Sequence, residues 1–341
     1  MIREELNQID PAAVNLPFAF LVRDQLVELE RMLTTIVPHD VPLIGEIYRT
    51  LVTGGKRIRP TLTFLSAAIF KPPEPKDAAL VRLAAAVELI HTASLLHDDL
   101  VDRSPVRRGQ PTVSARWGSR AALLAGDYLA ATAYRRLALQ ANTRALPVLA
   151  DAVVSMCEAE LIVLSGKPVD RRTYMALAAG KTGALMGAAC QIGAMQANAP
   201  MLDSQILRAY GREFGIAFQI VDDLLDLFEE PARTGKPSAQ DAIAGQPNLP
   251  IIVAAENDSS GRIAQVLRAM REVNSPDAQA MLARELAALV DELGGREQAV
   301  DMAKMALARA TDCLSRLPAT SATAALADAA AWLLSRVPQS A

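Results

Sequence analysis

Two clusters of aspartates are the part of this 341-residue chain whose spacing could support chemistry. The first reads His97-Asp98-Asp99-Leu100-Val101-Asp102 and the second reads Asp222-Asp223-Leu224-Leu225-Asp226. In each cluster the outer aspartates are four residues apart, so that they share one face of a helix. Like charges at this spacing repel, and near a helix C-terminus the helix dipole disfavours anions further. Without a cation, one carboxyl of each pair would tend to hold a proton, whereas a divalent metal ion would remove the conflict.

The available ligands indicate magnesium. Neither cluster has the adjacent His or Cys pair that suits zinc, and the glycine spacing of an EF-hand loop is absent. Mg²⁺ takes one or two carboxylates, keeps several waters and completes its shell with substrate phosphates. A single acidic helix end could simply face solvent. Two matched clusters, each followed by basic residues, favour metal binding.

Basic residues in several segments could bind phosphate groups. The set comprises Lys56, Arg59, Arg107, Arg108, Lys181 and Lys236. Arginine binds phosphate through a bidentate fork, while lysine acts as a point charge. This is enough positive charge for two diphosphates, although the run from Lys56 to Arg59, taken alone, is more typical of a solvated helix boundary than of a binding site. Together with a metal ion, these residues predict heterolysis of a diphosphate ester, with a second diphosphate substrate supplying the attacking group.

Long helices must position these residues. Of the chain, 51% is hydrophobic and only 4% is aromatic, which favours closely packed helices over β-sandwiches. Hydrophobic spacing and Pro or Gly breakers predict helices at about 18–36, 43–51, 61–70, 76–102, 115–141, 146–165, 174–196 and 203–228, with several more between 259 and 335. No strand and no linker is predicted. The predicted fold class is therefore all-α, with a single domain at 1–341.

The composition also bears on where the protein works. A net charge of −3 speaks against nucleic-acid binding. Cys157, Cys190 and Cys313 lie in apolar helical sequence without metal-site spacing, which predicts buried, reduced thiols. The acidic first residues are unlike a targeting peptide, and no apolar run is predicted to be long enough to span a bilayer. We expect a cytoplasmic protein with at most peripheral membrane contact.

A set of motifs along nearly the whole chain carries a family resemblance. They are Gly54-Gly55-Lys56-Arg57-Ile58-Arg59-Pro60, Ile90-His91-Thr92, Leu96-His97-Asp98-Asp99-Leu100-Val101-Asp102, Arg107-Arg108-Gly109, Gly126-Asp127, Lys181-Thr182-Gly183 and Phe218-Gln219-Ile220-Val221-Asp222-Asp223-Leu224-Leu225-Asp226. In order and spacing the chain resembles the trans-isoprenyl (polyprenyl) diphosphate synthases, which are prenyltransferases. The resemblance implies a helical bundle around a deep central cavity, with the two aspartate clusters facing each other at its mouth.

The resemblance also implies a role for each motif residue. Mg²⁺ would bind Asp98, Asp102 and Asp222, supported directly or through water by Asp99, Asp223 and Asp226. The allylic diphosphate would be held by Arg107, Lys181, Thr182, Gln219 and Lys236. Isopentenyl diphosphate would be held by Lys56, Arg59, His91 and Arg108. The catalytic set is then Asp98, Asp102, Asp222 and Lys181, while His97 is expected to orient a carboxylate.

Two small residues bear on the length of the product. Ala93 and Ser94 lie one turn before Asp98 and would face down the cavity, where a bulky aromatic residue stops chain growth in this family. Their size deepens the predicted tunnel by at least one turn, about 5.4 Å. Helix packing in an alanine-rich chain would explain the same residues. The sequence of residues 90–97 resembles that of the long-chain branch of the family, so we expect a long all-trans polyprenyl diphosphate as the product.

The chain also departs from the family pattern. Gln246 stands where the pattern Gly-Lys-x-Thr-Leu-Pro has lysine, and a glycine expected near Ala239 is absent. These changes predict weaker allylic binding or a reorganised flap, and they leave open a weakly active regulatory partner subunit. A geranylgeranyl or farnesyl diphosphate synthase is a second alternative. A terpene cyclase would not need the second diphosphate site. Helical surfaces rich in Ala and Leu, together with the resemblance, suggest a homodimer.

Overall fold

The structure, a computed structural model, describes residues 16–36, 41–52, 55–74, 77–107, 109–139, 144–229, 238–273 and 275–338. Within these ranges it is almost wholly helical, as expected. The first helices are α1 (Arg23–Thr35), α2 (Pro42–Val52), α3 (Ile58–Ala68) and α4 (Ala78–Val101). A short hairpin of β1 (Val106–Arg107) and β2 (Gln110–Pro111) follows, and then α5 (Val113–Trp117), α6 (Ser119–Ala138) and α7 (Ala145–Leu164).

The second half of the described chain continues in the same way. Its helices are α8 (Arg171–Ala178), a π-helical turn (Ala179–Gly183), α9 (Ala184–Gln196), α10 (Met201–Phe228), α11 (Gln240–Ala244), α12 (Leu249–Asn257), α13 (Arg262–Glu272), α14 (Pro276–Glu292), α15 (Gly295–Ser315) and α16 (Ser321–Ser335). The chain packs as two compact units, so that the prediction of one domain at 1–341 stays a prediction.

Unit 1 consists of Met1–Val153, Leu185–Gly211 and Thr311–Ala329. Its centre is α4, which is apolar nearly all round and therefore suits a helix surrounded by others. The Asp77 side chain begins this helix by accepting hydrogen bonds from the backbone N–H groups of Ala79 and Leu80. Along its length α4 packs against α6, and also against α1 and α3. The first aspartate cluster therefore lies at the end of a firmly held helix.

Unit 2 consists of Val154–Ala184, Arg212–Ala310 and Ala330–Ala341. Its apolar core includes Leu227 near the end of α10, Ile263 and Met270 of α13, and Leu286 of α14. Each of these four side chains is buried. The second aspartate cluster lies on the same last turns of α10, so that burying Leu227 fixes the position of its carboxylates.

Several expectations from the sequence were wrong in detail. The helix predicted at 115–141 is two helices, because Gly118 adopts a φ of 86° that ends α5 and begins α6. The hairpin of β1 and β2 was not predicted at all. Cys157 is exposed, whereas Cys190 is buried as expected and Cys313 is intermediate.

The expectation about apolar runs also needs correction. Among the described residues, α4 is long and apolar enough to cross a membrane by length and composition. Of its most apolar window, 67% is buried inside the structure, which is the burial expected of a central helix in a folded protein.

Candidate active site

The first aspartate cluster lies at the C-terminal end of α4. Asp98 and Asp102 are partly buried and four residues apart on one face, as predicted. Asp99 points elsewhere: it is only 5% exposed, and its Oδ1 accepts a hydrogen bond of 2.7 Å from Arg107 Nε. Arg107 belongs to β1, so this ion pair ties the hairpin to the helix end. Arg108, the second predicted arginine, lies outside the described residues.

His97 is held from α6. Its Nε2 lies 3.4 Å from the carbonyl oxygen of Leu123 and 3.6 Å from Asp127 Oδ1. A side-chain carbon at Gly126 would collide with the same imidazole nitrogen, so the glycine makes room for the ring. The carboxylate beside His97 Nε2 is therefore that of Asp127, just after Gly126 in the motif.

The basic segment before α3 divides its charges between surface and interior. Lys56 is exposed, whereas Arg57 is buried in ion pairs with Glu30 and Glu88. Arg59 Nε is also buried and makes no hydrogen bond. Burial lowers the pKa of Arg59 to about 10, against an opposing effect of Glu88, so that the guanidinium remains charged at neutral pH. A buried N–H without an acceptor is costly, and an oxygen of a bound anion would satisfy it.

The two residues predicted to affect chain length, and His91 of the predicted isopentenyl diphosphate site, lie on α4. His91 is partly buried, one helical turn after Glu88. Ala93 is buried at 3% exposure, while Ser94 is partly exposed and donates its hydroxyl hydrogen bond to the carbonyl of His91. Of the two small residues, Ser94 thus has the more accessible side chain.

The second cluster is built around its middle aspartate. Asp223 is 1% exposed, and its Oδ2 accepts hydrogen bonds from the Tyr174 hydroxyl at 2.6 Å and the Leu249 N–H at 2.8 Å. Its Oδ1 accepts one from Gln219 Nε2 at 3.0 Å. Burial, and after it the nearby charge of Asp241, hold the pKa of Asp223 well above its usual range. This carboxyl therefore joins α8, α10 and α12.

The outer aspartates of this cluster differ from each other. Asp222 is exposed. Asp226 accepts hydrogen bonds from the backbone N–H groups of Gln240 and Asp241 at 3.1 and 3.2 Å, so that it anchors the start of α11. Burial, followed by the charge of Asp241, raises the pKa of Asp226 to about 7. A cation bound nearby would favour the ionised form of both carboxylates.

Lys181 and Thr182 lie in the π-helical turn between α8 and α9. Such turns are rare and often mark functional sites. The Thr182 hydroxyl donates to Gln219 Oε1 at 2.8 Å, and Gln219 in turn donates to Asp223. Lys181 forms an ion pair with Glu160 of α7. The structure thus brings Lys181, Thr182 and Gln219 together around α10, whereas Lys236 lies outside the described residues.

The two departures from the family pattern lie beside this network. Ala239 has a φ of 59° in the left-handed region, a conformation that glycine adopts more readily. Its side chain is nevertheless fully buried, and its N–H donates to the carbonyl of Asp226. The Gln246 N–H donates to the carbonyl of Asp241, and Asn248 Nδ2 donates to the carbonyl of Asp223. The segment that lacks the usual lysine is therefore bonded to the second cluster.

The carboxylate oxygens of the two clusters suit a divalent metal ion that also binds phosphate. Within the described ranges, no three His, Cys, Asp or Glu side chains come together as a complete metal cage. Hard carboxylate oxygens are instead offered in pairs, and Asp99 and Asp223 are engaged by protein donors. An ion that takes one or two carboxylates and completes its shell with water and diphosphate oxygens fits this arrangement.

Sequence reasoning assigned no role to several residues that bond with the second aspartate cluster or lie beside the predicted cations. Arg57, Tyr174, Asp241 and Asn248 all form hydrogen bonds or ion pairs with or beside the predicted residues. A tyrosine within an otherwise ordinary helix gives no signal of its own. Arg57 did give a signal, because it stands inside a predicted binding motif, but its guanidinium is buried against Glu30 and Glu88.

Comparisons with known proteins agree with the motifs. The polyprenyl synthetase family matches residues 41–290. Heptaprenyl diphosphate synthase component 2 of Geobacillus stearothermophilus is 33% identical over 320 residues, covering 93% of this chain and 97% of that protein. The crystal structure of a decaprenyl diphosphate synthase from Rhodobacter capsulatus superposes with a TM-score of 0.84 at 32% identity, covering 95% of this chain and 99% of that one.

A further solved structure is similar and contains ligands. The polyprenyl synthase of Caulobacter crescentus CB15, complexed with calcium and isoprenyl diphosphate, gives a TM-score of 0.86 at 31% identity and covers 94% of this chain and 97% of that one. Divalent metal ions bind diphosphate in this family. The all-α isoprenoid synthase fold, the motifs and these similarities agree. The chain therefore belongs to the polyprenyl synthetase family of trans-isoprenyl diphosphate synthases and is a prenyltransferase.

Proposed function

We propose that this protein condenses isopentenyl diphosphate with an allylic diphosphate to make a long-chain all-trans polyprenyl diphosphate. The observation that carries the proposal is the division of roles within each aspartate cluster. The middle carboxylates of Asp99 and Asp223 are held by protein donors, while Asp98, Asp102 and Asp222 are more accessible. Those three are the proposed metal ligands, with Asp226 supporting them, and Mg²⁺ is the proposed ion.

The cationic residues then hold the two substrates. Arg107, Lys181, Thr182, Gln219 and Lys236 are proposed to bind the allylic diphosphate, and Lys56, Arg59, His91 and Arg108 isopentenyl diphosphate. When bound, the metal supplies charge stabilisation to the diphosphate leaving group. Arg107 and Lys181 add positive charge at the same group as its carbon–oxygen bond breaks.

The remaining steps need no nucleophilic side chain. The allylic carbocation left by ionisation is attacked by the double bond of isopentenyl diphosphate, so that one carbon–carbon bond forms. A proton is then lost to the released diphosphate, which restores a double bond and an allylic diphosphate one unit longer. Repetition gives a long product when nothing bulky lies beside the growing chain, as at Ala93 and Ser94.

The protein is proposed to work as a homodimer in the cytoplasm. Large apolar side chains are exposed along one side of the second half of α7, namely Val154, Leu161 and Leu164. They recur at helical spacing, and a contiguous exposed apolar face of this kind is typical of a protein interface. A second copy of the chain is the partner we propose.

One assay tests the activity. Purified protein is incubated with Mg²⁺, isopentenyl diphosphate and farnesyl diphosphate, and the products are separated by length. We expect products well beyond geranylgeranyl diphosphate, and a loss of about 10²–10³-fold in kcat for Asp98→Asn and Asp222→Asn, since each removes a proposed metal ligand. Geranylgeranyl diphosphate as the longest product would favour that alternative, elongation of shorter primers only would favour a farnesyl diphosphate synthase, and a lack of elongation with any allylic primer would refute the proposal.

The assay also addresses a regulatory role. One similar protein is named as a component 2, and Gln246 replaces a lysine of the family pattern. Full turnover by the protein alone would exclude a weakly active partner subunit. Chelation of divalent ions with EDTA should abolish turnover, and adding excess Mg²⁺ should restore it.

A further inference from the structure

We propose that Arg57 is a positioning residue for the isopentenyl diphosphate site, acting through Lys56 and Arg59 on either side of it. The inference rests on the proposed function of those two cations. Arg57 itself does not face a substrate, because its side chain is only 5% exposed. Its effect is on the backbone and on the charges around it.

The guanidinium of Arg57 joins three segments of unit 1. Its Nε and Nη2 donate to the two carboxylate oxygens of Glu30 on α1, and its Nη1 donates to Glu88 of α4 at 2.9 Å. This is the bidentate fork that arginine makes with carboxylates and that lysine cannot reproduce. Although burial alone would lower it, Glu88 and Glu30 raise the pKa of Arg57, so the residue is a permanent cation.

The backbone at Arg57 is also constrained. It has a φ of 50° and a ψ of 36°, in the left-handed region that residues other than glycine rarely adopt. Its carbonyl accepts the N–H and the hydroxyl of Thr61 at 3.0 and 2.8 Å, which begins α3. Such a conformation costs about 1–3 kcal/mol and persists only where surrounding contacts hold it. Here the contacts are the two buried ion pairs.

The consequence falls on the neighbours. Lys56 directly precedes the constrained residue and is exposed, and Arg59 follows it by two with a buried Nε that has no acceptor. Glu88, which binds Arg57, also attracts the Arg59 guanidinium, and His91 lies one turn beyond Glu88 on α4. Glu88 therefore binds Arg57, attracts Arg59 and lies one turn from His91, while Lys56 is linked to this group as the chain neighbour of Arg57.

A role in folding alone would not require this arrangement. A buried ion pair is often no more stabilising than apolar residues of the same size, and a glycine would adopt the left-handed backbone without strain. The arrangement instead fixes the direction in which two further cations leave the chain. Displacing a binding group by about 1 Å can cost about 10²-fold in rate.

The test compares substrates rather than stability. The Michaelis constants for isopentenyl diphosphate and for farnesyl diphosphate are measured for Arg57→Lys, Arg57→Gly and Glu88→Gln. Arg57→Gly keeps the left-handed backbone accessible while removing the fork. Leu65→Ala is the control. It removes a fully buried side chain from α3, the helix that begins just after Arg57, and costs about 2–5 kcal/mol without touching the ion pairs. Circular dichroism identifies a temperature at which all variants are folded.

We expect the three ion-pair variants to raise KM for isopentenyl diphosphate about tenfold or more, which is at least about 1.4 kcal/mol of binding. KM for farnesyl diphosphate should change little, and the control should change neither. Equal changes for both substrates, or an isopentenyl diphosphate KM no different from that of Leu65→Ala, would overturn the role of Arg57 while leaving the proposed activity intact. A wild-type protein that neither binds nor consumes isopentenyl diphosphate would overturn both.

Discussion

At the scale of single residues, the aspartates within each cluster differ in burial and in their hydrogen bonds. Asp99 and Asp223 occupy the same place in their clusters, and each is buried and hydrogen-bonded to protein groups. Their outer neighbours are more accessible. Spacing in the sequence predicted which carboxylates share a helix face. It could not show which carboxylates are buried and hydrogen-bonded to protein groups, because the donors to Asp99 and Asp223 come from distant segments such as β1 and α8.

Tyr174→Phe tests whether Asp223 anchors the helices around it. The substitution removes the donor to Asp223 Oδ2 and leaves the Leu249 N–H as the remaining described donor to that oxygen. We expect a loss of about 1–3 kcal/mol in the free energy of unfolding, measured by urea denaturation, because a buried polar group loses a partner. Tyr128→Phe on α6, where the side chain is partly exposed, is the control. Equal stability of the two variants would contradict the anchoring role of Asp223.

A second residue-scale prediction concerns product length. Ser94→Phe places an aromatic ring one turn before Asp98, at a side chain that is already partly exposed. We expect shorter products, since a filled turn removes about 5.4 Å of depth. Ser94→Ala, which keeps the position small, should leave the product distribution unchanged. Unchanged products from Ser94→Phe would show that this position does not line the growing chain.

At the scale of elements, glycines decide how closely the helices of unit 2 approach. A side-chain carbon at Gly215 of α10 would lie 2.6 Å from the Cα of Gly183, and one at Gly180 would lie 2.9 Å from the carbonyl oxygen of Ser155 on α7. The π-helical turn carrying Lys181 and Thr182 is therefore packed on both sides. Periodicity predicted one helix across 174–196 and could not reveal this turn, since a π-helical turn leaves the apolar pattern on either side almost unchanged.

Gly215→Ala tests the importance of that packing. The added methyl group must push α10 away from the turn, at a cost of about 1–3 kcal/mol in unfolding free energy. Because Lys181 and Thr182 move with the turn, we expect a higher KM for farnesyl diphosphate and little change for isopentenyl diphosphate. Ala176→Gly on exposed α8 surface costs about 1 kcal/mol in helix propensity and serves as the control for destabilisation. An unchanged KM for farnesyl diphosphate would show that the position of this turn does not affect binding of the allylic substrate.

At the scale of the whole molecule, the sequence was most informative about class. Low aromatic content and long periodic segments predicted the all-α fold, and the order of motifs predicted the family. Helix ends were predicted less well: Gly118 divides one predicted helix, and the hairpin carrying Arg107 is too short to give a strand signal. The buried ion pairs of Arg57 join segments about thirty residues apart, and such contacts depend on tertiary packing rather than on local pattern.

The proposed dimer can be tested with a single charge. Leu161 on α7 is 64% exposed, and Leu161→Glu would place an unpaired carboxylate in the interface. Sedimentation velocity should show a dimer for the wild type and a monomer for the variant. Met281→Glu on α14 has the same exposure and lies on another helix, so it should remain dimeric. A dimer that survives Leu161→Glu would mean that the chain associates through a different surface.

The unexpected exposure of Cys157 gives the protein a chemical handle. Burial raises the pKa of the Cys190 thiol to about 12, so that at mildly alkaline pH it remains protonated and unreactive. Cys157 lies on α7 one turn before Leu161 and is open to solvent. A maleimide dye should therefore label this position ahead of Cys190, and its fluorescence would report on the proposed association of the α7 faces in real time.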